Sequence, residues 1–139
     1  MTDIARQQLN EDIIRQFRSG GGHVGGQFAQ TPLLLLTTTG AHTGAARTWP
    51  LAFQADGERL VVFAANGGRG TRPGWYHNLR ANPVGTVEVG TESWEVTASV
   101  ISGEDRARLW ERQLVVSPRL AEFQAKLDWE IPVVALTRG

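Results

Sequence analysis

The segment LLLLTTTG, residues 33–40, decides the fold of this chain. Its four consecutive leucines are apolar on both faces, which is typical of a strand buried inside a sheet. Gly40 and Gly44 flank a polar turn, and the extended pattern resumes from Arg47 to Phe53. The segment therefore predicts a buried strand, a tight turn and a second strand that begins with an arginine. Backbone donors in such a turn, beside a cation, form a small site for an anion.

The rest of the chain contains further strand patterns separated by turn residues. Asp56-Gly57 is a hairpin signal before the apolar run 60–65. Residues 86–89 and 94–100 alternate between apolar and polar side chains, so one face of this hairpin is expected to be buried. Its expected inward residues are Val87, Val89, Trp94, Val96, Ala98 and Val100. A last apolar strand is predicted at 131–136.

Helical patterns surround the strands. The predicted helices are an amphipathic one at 3–18, a short one between Pro73 and Asn82-Pro83, one that begins after Ser102, and one that begins at Ser117-Pro118. About six strands with short hairpins predict an α+β fold with a closed or split antiparallel β-barrel, because closure removes exposed strand edges. We expect one domain over residues 1–139, with a helix and a glycine-rich connector at 1–26 and the barrel core at 27–139.

The composition argues against several classes of function. The 14 basic and 14 acidic residues give a formal net charge of zero, which argues against a nucleic-acid binder. No apolar run is long enough to span a bilayer. The chain has no cysteine, which excludes disulfides and thiolate catalysis, and its three histidines lack the spacing of a metal site. We expect no nucleic acid, no metal and no transmembrane segment, and a cytoplasmic location that leaves association with a membrane surface open.

A second informative block runs from Gly67-Gly68 to Asn82-Pro83 and contains PGWYHNL at residues 73–79. Together with the first block, it resembles the deazaflavin-dependent nitroreductase and F420H2-dependent quinone reductase family. The resemblance extends from about Phe17 to Thr137. It implies a small split β-barrel of FMN-binding-like architecture, with short peripheral helices, that binds coenzyme F420.

The turn after the leucine strand carries both a match and a departure from this family. The family's turn usually reads TTGRKSG and is followed by an arginine three residues on, whereas residues 38–44 here read TTGAHTG before Arg47. Ala41-His42 therefore replaces the Arg-Lys pair that supplies charge to the coenzyme's phosphate. Each lost charge-assisted contact is worth about 1.5–3 kcal/mol, so weaker binding is expected. Arg47 is retained, and His42 still offers a hydrogen-bond donor.

The resemblance also implies a full set of coenzyme contacts. It places Pro50-Leu51 along the deazaflavin ring, Asn66 against the ring, and Arg69 or Arg72 against the phosphate or the acidic tail. Glycines in the second block allow close approach of the backbone to a planar ligand. The expected coenzyme-binding residues are His42, Thr43, Gly44, Arg47, Pro50, Leu51, Ala65, Asn66, Gly67, Gly68, Arg69, Arg72, Trp75 and Asn78.

The wall of the acceptor pocket departs from the family as well. Some relatives have tyrosines there that donate to the reduced substrate, whereas Leu120 and Phe123 stand at the candidate positions in this chain. A phenolic proton donor is therefore missing, and no catalytic residue is assigned. Trp49, Trp75 and the N-terminal helix are expected to roof the cleft. The expected substrate-pocket residues are Trp49, Leu120 and Phe123; helical packing alone also explains the last two.

The function that the resemblance implies is hydride transfer between F420 and an electron-poor small molecule, such as an enone, a quinone or a nitroaromatic. The chain would then be an F420H2-dependent reductase. Two alternatives remain open at this point. The lost phosphate-site charge also suits a relative that uses FMN. A non-catalytic barrel that binds a small aromatic ligand or a cofactor is the alternative from another class. Split barrels often pair, which leaves a homodimer open.

Overall fold

The computed structural model describes residues 3–29 and 31–139 of the chain. Its strands are β1 (Leu33–Thr39), β2 (Ala46–Ala52), β3 (Gln54–Asp56), β4 (Arg59–Phe63), β5 (Val84–Val89), β6 (Glu92–Ile101) and β7 (Val133–Arg138). They form one antiparallel sheet in the order β2-β1-β5-β6-β7-β4-β3. The helices are α1 (Asp3–Ser19), α2 (Gly74–Ala81), α3 (Gly103–Val116) and α4 (Arg119–Ala125), with 3-10 turns at Gly26–Phe28 and Asn66–Gly68. The predicted antiparallel α+β architecture is confirmed.

Phe53 explains why the sheet has seven strands where about six are expected from the sequence. The strand pattern of residues 47–63 is interrupted only by the hairpin at Asp56-Gly57, but the pairing partner changes at Phe53. Ala52 lies opposite Leu33 of β1, whereas Gln54 lies opposite Val61 of β4. The two edge strands of the sheet are therefore neighbours in sequence, joined by one residue. Such a sheet has to curl until its edges meet, which produces the split barrel.

β1 is buried on both faces, as its four leucines predict. Leu34 and Leu36 lie in the main core with residues such as Val87 of β5. Leu33 and Leu35 lie on the other face, in a cluster with Ile13 and Phe17 of α1. α1 is thus the cover that keeps the outer face of β1 from water.

β6 follows the predicted alternation along its length, but its inward face is not covered at the end. Val96 is fully buried, whereas Val100 is 56% exposed and its neighbour Ile101 is buried. Ile101 packs on the outer face of the sheet with Leu109 of α3. Val100 lies opposite Val134 of β7, a main-core residue, so it is on the predicted face, at an end of the strand where that face is open to solvent.

Two negative findings bear on the class of protein. Within residues 3–29 and 31–139, no helix is both long enough and apolar enough to cross a membrane. The same residues contain no group of three or more His, Asp or Glu side chains placed to hold a metal ion.

Candidate active site

One cleft of about 950 Å3 lies between the beginning of α1, strand β2 and the segment that connects β4 to α2. It combines residues from both sequence blocks, which are distant in sequence. The lining residues are Arg6, Gln7, Asn10, Arg47, Trp49, Pro50, Leu51, Ala52, Phe63, Ala65, Asn66, Gly67, Arg69, Thr71, Arg72, Pro73, Gly74 and Trp75. A cleft of this size holds a cofactor or a small substrate.

Strand β2 borders the cleft with its edge. Four consecutive residues, 49–52, line the cleft, although alternate residues of a strand point to opposite faces. β2 pairs with β1 on one side only, so its other edge leaves main-chain groups open toward the cleft. An edge position also explains Pro50, because proline cannot donate a hydrogen bond to a second partner strand. Trp49 and Leu51 are half-buried and pack against the main core.

The loop between β4 and α2 forms another part of the cleft. It contains the turn Asn66–Gly68, in which Asn66 has a φ of 51°. The side-chain Nδ2 of Asn66 donates a 2.9 Å hydrogen bond to the carbonyl oxygen of Thr71, so the loop is closed by its own side chain. Gly68 is required for close packing, because a Cβ atom there would lie 2.6 Å from Cδ1 of Phe123.

Three arginines of the two blocks meet at this cleft. Arg47 enters from β2, while Arg69 and Arg72 come from the loop after β4. The guanidinium carbon of Arg47 lies 5.2 Å from the Trp49 ring centroid, and that of Arg72 lies 4.6 Å from the centroid of Trp129. No aspartate or glutamate is among the described lining residues. The cleft is therefore a positively charged site that favours an anionic ligand.

The beginning of α1 lines the cleft with Arg6, Gln7 and Asn10. The helix is held further along, where Phe17 is buried and Arg18 donates hydrogen bonds of 3.1 and 2.8 Å to the carboxylate of Glu88 on β5. The expected contribution of the N-terminal helix to the cleft is thus present in the structure. Trp75, a buried residue in the first turn of α2, also lines the cleft.

The polar turn after β1 lies beside the cleft, and its residues His42, Thr43 and Gly44 are exposed and outside the lining. Asn78 holds this turn in place. Its Oδ1 accepts a 2.9 Å hydrogen bond from the N–H of Ala41, and its Nδ2 donates a 3.0 Å bond to Oγ1 of Thr38. Both ends of the Asn78 amide are occupied by protein, so this residue positions the turn and does not line the cleft.

Leu120 and Phe123, the expected residues of the acceptor-pocket wall, are not among the described lining residues of this cleft. Leu120 is buried in a cluster with Ala65 and Ile131. Phe123 packs directly on Gly68. The helical spacing thus brings both side chains to the face of α4 that packs against the loop. Gly68, which Phe123 covers, is also absent from the cleft lining.

Several lining residues carry no signal in the sequence. The polar side of a predicted amphipathic helix contains Arg6, Gln7 and Asn10 at helical spacing, but spacing does not say which surface that side faces. The other lining residues that the sequence analysis does not predict reach the cleft through the curl of the sheet or the path of the loop. They are Ala52, Phe63, Thr71, Pro73 and Gly74.

Comparisons with known proteins identify the family of the chain. The sequence profile of the F420H(2)-dependent quinone reductase family matches residues 9–138. An F420H(2)-dependent quinone reductase of Mycobacterium tuberculosis is 40% identical over 128 residues, which cover 88% of this chain and 85% of the relative.

Two solved structures share both the fold and a substantial part of the sequence. An F420-H2 dependent reductase, FDR-A, superposes with a TM-score of 0.69 and 36% identity over 76% of this chain and 93% of its own. A domain-swapped dimer superposes with a TM-score of 0.71 and 35% identity, over 96% of this chain and 97% of its own. The predicted split β-barrel is confirmed by these superpositions.

Proposed function

The chain belongs to the F420H(2)-dependent quinone reductase family, and from this membership we propose that its arginine-rich cleft holds coenzyme F420. It is an F420-dependent oxidoreductase for quinone-type acceptors. The observation that carries the assignment of the site is the meeting of Arg47, Arg69 and Arg72 at one cleft without a carboxylate among its described lining residues.

The residues present fit an anionic coenzyme with a planar ring. The arginines offer charge-assisted hydrogen bonds to a phosphate or to acidic groups. Gly67 and Gly74, which have no side chains, line the same cleft as the half-buried apolar residues Pro50 and Leu51, a lining that suits a flat ring system. The free edge of β2 adds main-chain hydrogen-bonding groups that a ring carbonyl or ring N–H can satisfy.

When bound, reduced F420 supplies a hydride to the acceptor. The chain's own residues supply binding and orientation. Trp75 and Leu51 belong to or pack on the main core, so they give the cleft a rigid apolar surface that excludes water from the face they cover. Arg47, Arg69 and Arg72 hold the anionic part of the ligand, which fixes the register of the rest along β2.

The described lining of the cleft offers no acid for the proton that the reduced acceptor takes up. No histidine, tyrosine or carboxylate is among the described residues that line the cleft. The positions at which a tyrosine is expected from the family carry Leu120 and Phe123, which pack behind the loop. We therefore assign proton delivery to water.

The turn with Ala41-His42 is outside the cleft lining, next to Arg47. We propose that His42, Thr43 and Gly44 meet only those parts of the coenzyme that extend beyond Arg47. Asn78 supports this role indirectly, because it holds the N–H of Ala41 and the hydroxyl of Thr38 in fixed positions.

A homodimer is part of the proposal. It is supported by the solved domain-swapped dimer that covers 96% of this chain at 35% identity. Size-exclusion chromatography with light scattering tests it, and a mass of twice the monomer is expected. A monomer mass at micromolar concentration contradicts this part of the proposal.

The location that we propose is the cytoplasm, with attachment to a membrane surface as the alternative. The observation that favours attachment is an apolar pair at the end of α3, where Val115 is 82% and Val116 is 75% exposed. Co-sedimentation with lipid vesicles distinguishes the two, with the double variant V115S/V116S as the control. We expect the protein to remain in the supernatant.

The cofactor is tested by fluorescence titration of the purified protein with F420 and, in parallel, with FMN. We expect saturable micromolar binding of F420 and none of FMN, and oxidation of reduced F420 by menadione in the presence of the protein. Binding of FMN in place of F420 contradicts the assignment of the cleft. Binding of F420 without turnover by any quinone would instead favour a binding protein.

A further inference from the structure

Trp129 lies behind the cleft, in the segment that connects α4 to β7. It is half-buried and packs against the cluster of Ala65, Leu120 and Ile131. It is not among the described residues that line the cleft. The guanidinium carbon of Arg72, which does line the cleft, lies over its ring, 4.6 Å from the centroid. Trp129 therefore contacts a cation of the cleft from outside the cleft.

The position of Trp129 is fixed by α4. Nε2 of Gln124 donates a 2.9 Å hydrogen bond to the carbonyl oxygen of Trp129, and Oε1 of Gln124 accepts a 2.8 Å bond from the N–H of Ile131. Nε1 of Trp129 in turn donates a 3.4 Å hydrogen bond to the carbonyl oxygen of Gly70. One glutamine thus holds the main chain around Trp129, and the indole is attached to the loop that carries Arg72.

The contact with Trp129 leaves the hydrogen-bonding capacity of Arg72 available to a ligand. No carboxylate among residues 3–29 and 31–139 forms an ion pair with Arg72. A cation–π contact engages the charge of the guanidinium but occupies none of its N–H donors with an acceptor atom. A long side chain that is already ordered loses less conformational entropy when it binds an anion.

We propose that Trp129 is a positioning residue of the anion site: its ring orders Arg72 before the ligand arrives, so that the guanidinium is directed into the cleft. The inference rests on the proposed function, because the anionic ligand in that proposal is the coenzyme. Arg69 lines the same cleft from the same loop but has no aromatic or acidic partner among the described residues. Arg72 is therefore the cation of this loop whose orientation the surrounding fold determines.

The test is a double-mutant cycle in which the dissociation constant of F420 is measured by fluorescence titration. Trp129→Leu removes the ring, and we expect ~3- to 10-fold weaker binding. In the Arg72→Ala background the ring has no guanidinium to order, so the same substitution should change the dissociation constant by less than ~2-fold. A packing role alone would weaken binding by the same factor in both backgrounds, and that result would overturn the proposal.

The Arg69→Ala background is the matched control for the cycle. Arg69 is on the same loop without an aromatic partner, so Trp129→Leu should there keep its full ~3- to 10-fold effect. A coupling of Trp129 with Arg69 as large as that with Arg72 would show a change of the whole loop and overturn the specific role of the Arg72 contact.

Trp129→Phe keeps an aromatic ring and removes only the Nε1 donor, so its dissociation constant should stay within ~3-fold of that of the unmodified protein. It also serves if Trp129→Leu does not fold. Binding as weak as that of a folded Trp129→Leu, or a ~10-fold loss in Trp129→Phe alone, would assign the effect to the hydrogen bond with Gly70 and overturn the role of the ring. Trp94→Leu removes a similar ring, under Arg138 and outside the cleft, and should bind F420 normally.

A measurement without any ligand separates this inference from the proposed function. Protons held over an aromatic ring are shielded, so we expect the side-chain resonances of Arg72 to be shifted upfield in the NMR spectrum of the ligand-free protein. The shift should disappear in Trp129→Leu. Resonances of Arg72 at their random-coil positions would overturn the ordering by Trp129. An upfield shift in a protein that binds no F420 would instead contradict the proposed function and support the ordering of Arg72.

Discussion

Nδ2 of Asn78 donates a 3.0 Å hydrogen bond to Oγ1 of Thr38, which joins α2 to the end of β1. Thr38 is only 2% exposed and is the one buried polar residue among those the structure describes. The same amide accepts a hydrogen bond from the N–H of Ala41. One side chain of the second sequence block thus fixes the turn of the first block, from which the chain enters β2 and reaches Arg47.

Asn78→Ala removes both of these hydrogen bonds and leaves the hydroxyl of Thr38 buried without this partner. We expect a loss of about 1–3 kcal/mol in the free energy of unfolding, measured by urea denaturation. Weaker F420 binding should accompany it, because the turn before Arg47 loses its support. Asn82→Ala is the control, since Asn82 accepts a single exposed hydrogen bond of 3.3 Å from Val84. If Asn82→Ala destabilises the protein as much as Asn78→Ala, the proposed role of Asn78 in holding the turn is contradicted.

Arg47→Ala tests the anionic contact in the cleft. A charge-assisted hydrogen bond contributes about 1.5–3 kcal/mol, so F420 binding should weaken by roughly tenfold or more. The matched control is Arg138→Ala, because Arg138 is also exposed and also lies over a tryptophan ring, 4.3 Å from the centroid of Trp94, but outside the cleft. F420 affinity is measured by fluorescence titration. If folded Arg47→Ala and Arg138→Ala both bind F420 as tightly as the unmodified protein, Arg47 does not contact the coenzyme.

Gly68→Ala tests the close approach of α4 to the cleft loop. The new Cβ would lie 2.6 Å from the ring of Phe123, at a position with a φ of 79°. Overpacking costs about 1–3 kcal/mol, and the left-handed conformation adds about 1–2 kcal/mol for alanine. We expect a clear fall in thermal stability together with weaker F420 binding. The double variant Gly68→Ala/Phe123→Leu should recover part of the lost thermal stability. No recovery would mean that the contact between residue 68 and the Phe123 ring is not the cause of the loss.

No histidine, tyrosine or carboxylate is among the described residues that line the cleft, which predicts a simple pH profile near neutral pH. A catalytic histidine would impose a step on kcat near its pKa of about 6.5. Because proton delivery is assigned to water, we expect kcat with menadione to show no such step between about pH 6 and 8. A bell-shaped profile in this window, one that disappears in His42→Ala, would identify His42 as an acid or base after all.

The acid stability of the fold depends on an ion-pair cluster remote from the cleft. Hydrogen bonds first from Arg108 and then from Arg59 lower the pKa of Asp56, and the same arginines lower the pKa of Asp105. A lowered folded-state pKa means that the stabilisation is complete above the unfolded pKa of about 3.9 and is lost as the pH falls below it. The cluster connects the β3–β4 hairpin to α3.

Asp56→Asn should therefore lower the melting temperature most above about pH 5, and the difference between the two curves should shrink steadily as the pH falls below about 4. Differential scanning calorimetry at several pH values measures this. Asp128→Asn, an exposed residue outside the cluster, is the control. A difference that stays constant over the whole range contradicts the role of ionised Asp56.

The sequence predicts those parts of the fold that local pattern determines. Four leucines in succession indicate a strand covered on both faces, and the Asp56-Gly57 hairpin is present between β3 and β4. The change of partner at Phe53 is not predictable in this way, because residues on both sides of it are equally suited to a strand. Only the closure of the sheet assigns them to different neighbours.

The same limit applies to the candidate site. The resemblance identifies the residues of the two blocks, and most of them line one cleft. Helical spacing made Leu120 and Phe123 equally suited to a pocket wall and to packing, and the structure shows packing. The backbone conformation of Asn66 and the approach of Arg6 to the cleft depend on tertiary contacts, for which a single sequence has no pattern.

The free edge of β2 has a consequence for the evolution of specificity. In the proposed site, a ligand along residues 49–52 would meet main-chain atoms, which every amino acid possesses. Apolar replacements at Leu51 or Ala52 would then change the width of the cleft without changing those hydrogen-bonding atoms. The exception is Pro50, which has no N–H and so removes one donor from the row. Variation in side-chain size at this edge would thus change which acceptors fit, while the proposed main-chain partners of the coenzyme stay the same.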